Sequence, residues 1–293
     1  MQETRRKKTD LFALGEKKRR GEKICMLTAY DFPTSRILDE AGVDSILVGD
    51  SAGNVVLGYP DTVPVSMDEM IMLSKAVVRG ARHAFVIGDM PFMSYNTSTE
   101  LAIANAGRFI KEAGAQAVKL EGGAAMVDTV RAITRAGIAV VGHLGLTPQT
   151  ANLLGGFKVQ GKSAEAAYRI LDDAMLLERS GAVMIVVECI PDRLASLISS
   201  RVSIPLIGIG AGAGCDGQVL VLHDMLGIGG NYLPKFVKHY GRLAEEIRAC
   251  VTSYKEEVAS GAFPGTEQTF HMEHREYERL LEMLSAVPSD IVR

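Results

Sequence analysis

The sequence lacks tryptophan, paired cysteines, low-complexity stretches and long apolar runs. The four cysteines (Cys25, Cys189, Cys215 and Cys250) form no CxxC pair, which argues against a structural zinc site or a disulfide framework. No apolar run reaches the roughly 18 residues of a membrane helix, and the N-terminus has no apolar signal-peptide core, so we expect a cytoplasmic protein. The net charge of -3 gives no reason to expect a nucleic-acid partner.

The chain has the composition of an ordinary globular protein, with 293 residues of which 47% are hydrophobic and 23% charged. Eight short apolar runs, rich in Val and Ile, indicate buried strands. Helix-like segments separate them, and two of these segments begin with apparent capping boxes, Ser66 with Glu69 and Thr97 with Glu100. The strand-like runs are 24–30, 45–50, 84–89, 117–122, 138–143, 184–189, 205–210 and 218–224.

Strict alternation of strands and helices predicts a parallel sheet covered by helices. Eight strands in about 200 residues favour a (β/α)8 TIM barrel over a doubly wound sheet, and no GxGxxG follows the first strand. We expect one barrel domain over 1–293, with a helical extension at 1–22 that could cross the barrel floor. A closing helix is expected within 232–260, followed by a polar tail at 262–293 with a short helix.

Charged or polar residues close five of the strand-like runs. Active sites of such barrels lie at the carboxyl ends of the strands, so these side chains should converge on one mouth. They are Asp50, Asp89, Glu121, His143 and Glu188.

Three of these carboxylates, Asp50, Asp89 and Glu121, come from adjacent strands and suit Mg²⁺, which prefers hard oxygen ligands. Strand alternation places Lys119 on the same inward face as Glu121, where it needs a charge partner and could hold a substrate carboxylate or enolate oxygen. Glu188 lies across the mouth and is a candidate base.

Two further segments on the active face could contribute to a site. The long connection at 145–162 contains several glycines and is a candidate lid. The Gly-rich stretch at 208–217 could bind phosphate through backbone N–H groups, or its glycines could serve close packing of the backbone. Ser51 offers a hydroxyl and an N–H to a small anionic group.

Over residues 9–262 the chain resembles the ketopantoate hydroxymethyltransferase family. The matching motifs are long and occur in order. They are LTAYD (27–31), VGDS (48–51), GDMPF (88–92), VKLEGG (118–123), GHLGLTPQ (142–149), Glu188, the run from Pro205 to Gly227 and PKFVKHY (234–240).

The resemblance implies a TIM-barrel enzyme of pantothenate and coenzyme A biosynthesis that uses Mg²⁺. The family transfers a hydroxymethyl group from 5,10-methylenetetrahydrofolate to 3-methyl-2-oxobutanoate (α-ketoisovalerate), through an enolate, to form ketopantoate. It assembles as a homodecamer of two pentameric rings. The family's metal ligands fall on Asp50, Asp89 and Glu121, its ketoacid contacts on Asp50, Ser51, Asp89 and Lys119, its proton acceptor on Glu188 and a pocket histidine on His143.

Two alternatives remain open from the sequence. A Mg²⁺-dependent C–C or P–C lyase of the phosphoenolpyruvate mutase and isocitrate lyase group would share the barrel and the metal. Those lyases often carry a KKCGH-type loop, which this chain does not have. A non-catalytic barrel scaffold would have little need for Lys119 and Glu188 inside the mouth.

Overall fold

The computed structural model describes residues 6–228 and 234–286, which divide into two compact units between Gly241 and Arg242. The first unit contains the barrel and the second contains the C-terminal helices. Whether the two form the single expected domain stays a prediction. Three of the expected segments lie partly outside the described residues. They are the N-terminal extension at 1–5, the closing helix at 232–233 and the tail at 287–293.

The first unit is a closed barrel whose parallel strands pair in sequence order, with the last strand pairing back to the first. The predicted TIM barrel is therefore confirmed. The strands are β1 (Ile24–Thr28), β2 (Ser45–Val48), β3 (Phe85–Asp89), β4 (Ala117–Glu121), β5 (Val140–Gly145), β6 (Met184–Glu188), β7 (Leu206–Ile209) and β8 (Gly217–Leu220).

Helices connect the strands and cover the outside of the barrel. Short 3-10 turns at Ala124–Met126 and Pro148–Thr150 lie within the connections after β4 and β5. The α-helices of this unit are α1 (Leu11–Arg19), α2 (Phe32–Glu40), α3 (Ala52–Val55), α4 (Met67–Gly80), α5 (Thr99–Arg108), α6 (Val127–Arg135), α7 (Ala164–Arg179), α8 (Asp192–Arg201) and α9 (Leu222–Leu226), and a π-helical turn at Phe109–Ala113 continues α5.

Strand alternation sorts the core into two layers. On β4, Ala117 packs into the barrel interior, whereas Val118 and Leu120 belong to the cluster between the strands and the helices. Lys119 and Glu121 share the inward face of Ala117, as the alternation predicted. The interior below the mouth is apolar, and its members include Phe85, Ile87, Val141, Met184, Val186 and Ile207.

Helix α1 closes the bottom of the barrel, which confirms the expected floor helix. Leu14 is 1% exposed and belongs to the same interior cluster as Ile24 and Phe85. The ammonium of Lys18 fixes the helix, because it lies 2.7 Å from Asp216 Oδ2 and donates to the Ile204 carbonyl. Water is thus kept from the apolar layer beneath the mouth.

The two capping predictions had different outcomes. Ser66 and Glu69 form the predicted capping box at the start of α4. The second prediction was wrong, because the cap of α5 is Ser98, whose hydroxyl accepts the Leu101 N–H at 3.2 Å. Thr97 lies one position too early to reach that free N–H.

The second unit contains α10 (Leu243–Ser260) and α11 (His274–Ser285). Both were expected from their sequences, within 232–260 and near 271–285. Neither has a buried residue among those described. None of the helices in the described segments combines the length and apolar character that crossing a membrane requires.

Leu14→Ala should destabilise the barrel by about 2–5 kcal/mol, because it opens a cavity among interior side chains that cannot fully collapse. Urea unfolding followed by circular dichroism measures the loss. Phe12→Ala is the matched control, since Phe12 is 72% exposed on the same helix and its removal should cost below about 1 kcal/mol. Equal losses in the two variants would show that Leu14 does not seal the barrel.

Candidate active site

Parallel pairing brings the strand-end residues together in the order that the sequence predicted. The pairing of β3 with β4 sets Asp89 beside Lys119, and the pairing of β4 with β5 sets Glu121 beside His143. Glu188 closes β6 opposite Gly145. Because Asp50 follows the end of β2, next to β3, all of these residues reach the same mouth.

Asp50 and Asp89 form a buried pair of carboxylates, 5% and 1% exposed. The Asp50 N–H donates to Asp89 Oδ2 at 3.1 Å, which brings the start of the loop after β2 onto the end of β3. The ammonium of Lys119 lies 2.8 Å from Asp89 Oδ1, although the two are not aligned as a hydrogen bond. Lys119 therefore supplies the nearest positive charge to the pair.

His143 bridges two further carboxylates. Its Nδ1 lies 3.1 Å from Glu121 Oε1, and its Nε2 lies 3.3 Å from Glu188 Oε2, an ion-pair distance without hydrogen-bond alignment. Nδ1 also lies 3.3 Å from Lys119 Nζ, but an N–H that is donated to Glu121 cannot accept from Lys119. Glu188, which the sequence placed apart from the other carboxylates, is thus connected to them through His143.

The pKa values of the acidic groups follow from this arrangement. Burial, followed by the charge of Asp89, raises the pKa of Asp50 well above its usual range. Burial also raises the pKa of Asp89, against the opposing effect of Lys119. For Glu121, burial raises the pKa, but His143 and Lys119 outweigh it and hold the pKa below its usual value.

The basic groups are held in their charged forms. Burial lowers the pKa of Lys119, but Asp89, Glu121 and Asp50 more than offset it and raise the pKa above its ordinary value. Burial and Lys119 lower the pKa of His143, but Glu121 and Glu188 outweigh them and raise it to about 9. At neutral pH Lys119 and His143 are therefore held as an ammonium and an imidazolium.

Two neutral side chains in the site were missed by the sequence reasoning. Gln149 donates from Nε2 to Asp50 Oδ2 at 2.9 Å, and Tyr95 donates to Gln149 Oε1 at 2.5 Å. Both lie in turns rather than on strands, so strand-end position could not indicate them. The available signal was the presence of Gln149 within the GHLGLTPQ motif.

A cavity of about 510 Å³ opens above these residues. Ser51, which the sequence proposed for anion binding, lines it, and its hydroxyl lies 2.9 Å from the Tyr30 hydroxyl. The candidate lid contributes Leu146, Pro148, Phe157, Lys158 and Val159. The connection therefore forms one wall of the cavity, as a lid would; its movement stays a prediction.

The Gly-rich stretch at 208–217 is explained by close packing. A side chain at Gly210 would meet the Phe236 ring at 2.7 Å, and one at Gly212 would meet Asp192 Cβ at 2.5 Å. Both glycines also have left-handed φ angles, of 63° and 79°. The packing alternative therefore accounts for these glycines without a phosphate.

Two of the carboxylates fit a divalent metal better than the third does. Among the described residues, no three His, Cys, Asp or Glu side chains are arranged as a ready-made metal cluster, so the predicted trio is not assembled in this conformation. Asp50 and Asp89 do fit Mg²⁺, because they are buried, mutually repelling hard oxygen donors in the cavity wall. Glu121 is engaged by His143 and by the Gln149 N–H, and its role as a third ligand stays a prediction.

Among solved structures, the barrel resembles that of 2,3-dimethylmalate lyase, a member of the PEP mutase/isocitrate lyase superfamily. The TM-score is 0.56 at 14% sequence identity, over 95% of this chain and 96% of the lyase. At that identity the likeness shows the fold alone.

Sequence comparison gives much stronger matches. The 3-methyl-2-oxobutanoate hydroxymethyltransferase of Heliobacterium modesticaldum is 55% identical over 267 residues, which cover 91% of this chain and 97% of the relative. The protein of the same name from Syntrophus aciditrophicus is 56% identical over 253 residues, covering 86% and 93%. The family model described as ketopantoate hydroxymethyltransferase matches residues 8–266. The chain therefore belongs to the ketopantoate hydroxymethyltransferase family of enzymes.

Proposed function

We propose that this enzyme transfers a hydroxymethyl group from 5,10-methylenetetrahydrofolate to 3-methyl-2-oxobutanoate, forming 2-dehydropantoate for pantothenate synthesis. The observation that carries the proposal is the arrangement of the buried Asp50–Asp89 pair and Lys119 in a cavity whose wall also contains Glu188. The names of the relatives, at 55% and 56% identity, agree with it.

The polar side of the mouth is suited to a keto acid. Asp50 and Asp89 would hold Mg²⁺, with Glu121 as the predicted third ligand. When bound, this ion would supply Lewis acidity to the keto oxygen. Lys119 would place its ammonium near the substrate oxygens on which charge develops, and Ser51 would offer its hydroxyl to the substrate carboxylate.

Glu188 would act as the base. Its carboxylate lines the cavity and has 15% of its side chain exposed, so it can face a substrate while His143 orients it from behind. Removal of the proton on C3 of the keto acid leaves an electron pair that forms the new C–C bond to the one-carbon unit. Water supplies the hydroxyl oxygen, and tetrahydrofolate leaves, so the atoms balance.

The size of the cavity supports two substrates. Its volume of about 510 Å³ lies within the range of about 300–1,000 Å³ that is usual for drug-sized ligands. A five-carbon keto acid would occupy only part of it. The remaining space, towards Phe157 and Phe236, would accommodate the larger folate.

The lyase alternative draws support from the shared fold alone, whereas the family match favours hydroxymethyl transfer. Family membership also speaks against a non-catalytic scaffold. A decameric assembly, implied by the resemblance, stays a prediction. Formation of tetrahydrofolate and 2-dehydropantoate from the two substrates, measured with purified protein, tests the proposed function directly.

Glu188→Gln should retain keto-acid binding but lower exchange of the C3 proton with solvent by roughly 10²–10⁴-fold, because the amide cannot accept that proton. Proton NMR in D₂O with Mg²⁺ and 3-methyl-2-oxobutanoate, without folate, follows the exchange. Glu100→Gln is the control, since Glu100 is exposed on α5. Undiminished exchange in Glu188→Gln would remove Glu188 from the role of base.

Removal of divalent metal should abolish the same exchange, and Mg²⁺ should restore it. Asp50→Asn and Asp89→Asn should each weaken Mg²⁺ binding by about tenfold or more in isothermal titration calorimetry, because each loses an anionic oxygen donor. Asp68→Asn, at an 85% exposed side chain, should leave the affinity unchanged. Glu121→Gln tests whether Glu121 is the third metal ligand. A wild-type affinity for Mg²⁺ in this variant would exclude it.

A further inference from the structure

Gln149 connects two of the carboxylates of the site, Glu121 and Asp50. It lies in the 3-10 turn Pro148–Thr150, at the start of the long connection after β5, and is 4% exposed. Its backbone N–H donates to Glu121 Oε2 at 3.1 Å. Its side-chain Nε2 donates to Asp50 Oδ2 and to the Met90 carbonyl, both at 2.9 Å.

The hydrogen bonds of Tyr95 determine which way the Gln149 amide points. The Tyr95 hydroxyl accepts the Glu121 N–H at 3.2 Å, so its own proton is free to be donated to Gln149 Oε1 at 2.5 Å. The amide oxygen must then face Tyr95, and the amide nitrogen must face Asp50 and Met90. In the reversed orientation, the NH₂ group would meet the tyrosine and the amide oxygen would face two acceptors.

This orientation has a consequence for Asp50. One N–H of the Gln149 amide holds Oδ2 of Asp50, while the Asp50 side chain stays in the cavity wall. Gln149 also holds Glu121, because the Gln149 backbone N–H donates to Glu121 Oε2. A single residue of the loop thus contacts two carboxylates, one that follows β2 and one at the end of β4.

We propose that Gln149 is a positioning residue for the divalent-cation site, which presents Asp50 in the orientation that binds the ion and is itself oriented by Tyr95. It acts through Asp50 rather than on the substrate. The inference rests on the proposed function only in taking Asp50 as a cation ligand. A second possibility is that Gln149 merely anchors the long connection, and the two possibilities differ in their effect on cation affinity.

Gln149→Met tests the proposal, because methionine has a similar size and keeps the backbone N–H to Glu121 but removes the amide from Asp50. Mg²⁺ or Mn²⁺ is titrated into the protein by calorimetry, without keto acid or folate. We expect the dissociation constant to rise roughly 10–100-fold, the usual effect of removing a group that orients a metal ligand. Thermal unfolding shows whether the variant is folded.

Gln160→Met is the matched control. Gln160 lies in the same connection, and its amide donates to the Lys158 carbonyl at 3.0 Å and to none of the carboxylates of the site. The same substitution there should leave cation affinity unchanged. A folded Gln149→Met variant with the wild-type dissociation constant would overturn the proposal.

Tyr95→Phe gives a second, independent test, also useful if Gln149→Met does not fold. It removes the hydroxyl that orients the Gln149 amide, so cation affinity should fall. Unchanged affinity in Tyr95→Phe would contradict the proposed chain of contacts.

The test of the positioning role and the test of the proposed reaction can be distinguished from one another. Loss of cation binding in Gln149→Met supports the positioning role even if no hydroxymethyl transfer is found. Transfer by the wild-type enzyme together with undisturbed cation binding in Gln149→Met overturns the positioning role and leaves the reaction intact. A wild-type protein that binds neither ion would also overturn the positioning role.

Discussion

Four carboxylates at the strand ends of this barrel lie beside two buried basic side chains, Lys119 and His143, and most features of the site depend on how that charge is balanced. Asp50, Asp89, Glu121 and Glu188 carry negative charge, while Lys119 and His143 can carry positive charge. With all six ionised, two negative charges are left over. Such an excess is costly in a buried space unless a proton or a cation offsets it, and one divalent cation would do so completely.

The apolar interior of the barrel increases the cost of the excess negative charge. Beneath the mouth, side chains such as Phe85, Ile87 and Val186 fill the barrel, and Leu14 of α1 closes it from below. Water cannot solvate the carboxylates from that side, so their partners are the backbone N–H groups of Asp50 and Gln149, the Gln149 amide, Lys119 and His143. Burial, followed by the charge of Asp89, still raises the pKa of Asp50 despite these contacts.

The features that could be predicted from the sequence are those set by the two-residue repeat of a strand and by the order of the strands. The alternation of strands placed Lys119 and Glu121 on one inward face, and the strand order placed Asp50, Asp89 and Glu121 at the ends of three neighbouring strands, although the three side chains do not form a metal cluster in this conformation. Contacts made by turns could not be predicted in this way. Tyr95 and Gln149 approach from connections whose paths depend on tertiary packing, and Ser98 replaced Thr97 as a helix cap because the helix began one residue later than the pattern suggested.

The barrel by itself does not distinguish a transferase from a lyase, since 2,3-dimethylmalate lyase has a similar fold at 14% identity. The distinction must therefore lie in the side chains at the mouth. Here His143 connects Glu188 to Glu121, while Asp50 and Asp89 lie beside Lys119. With the proposed base on one side and the proposed cation-binding pair on the other, a proton could be removed while the developing negative charge is stabilised at a separate point. This separation suits carbanion chemistry on a keto acid, and the large remaining cavity suits an electrophile brought by a second molecule.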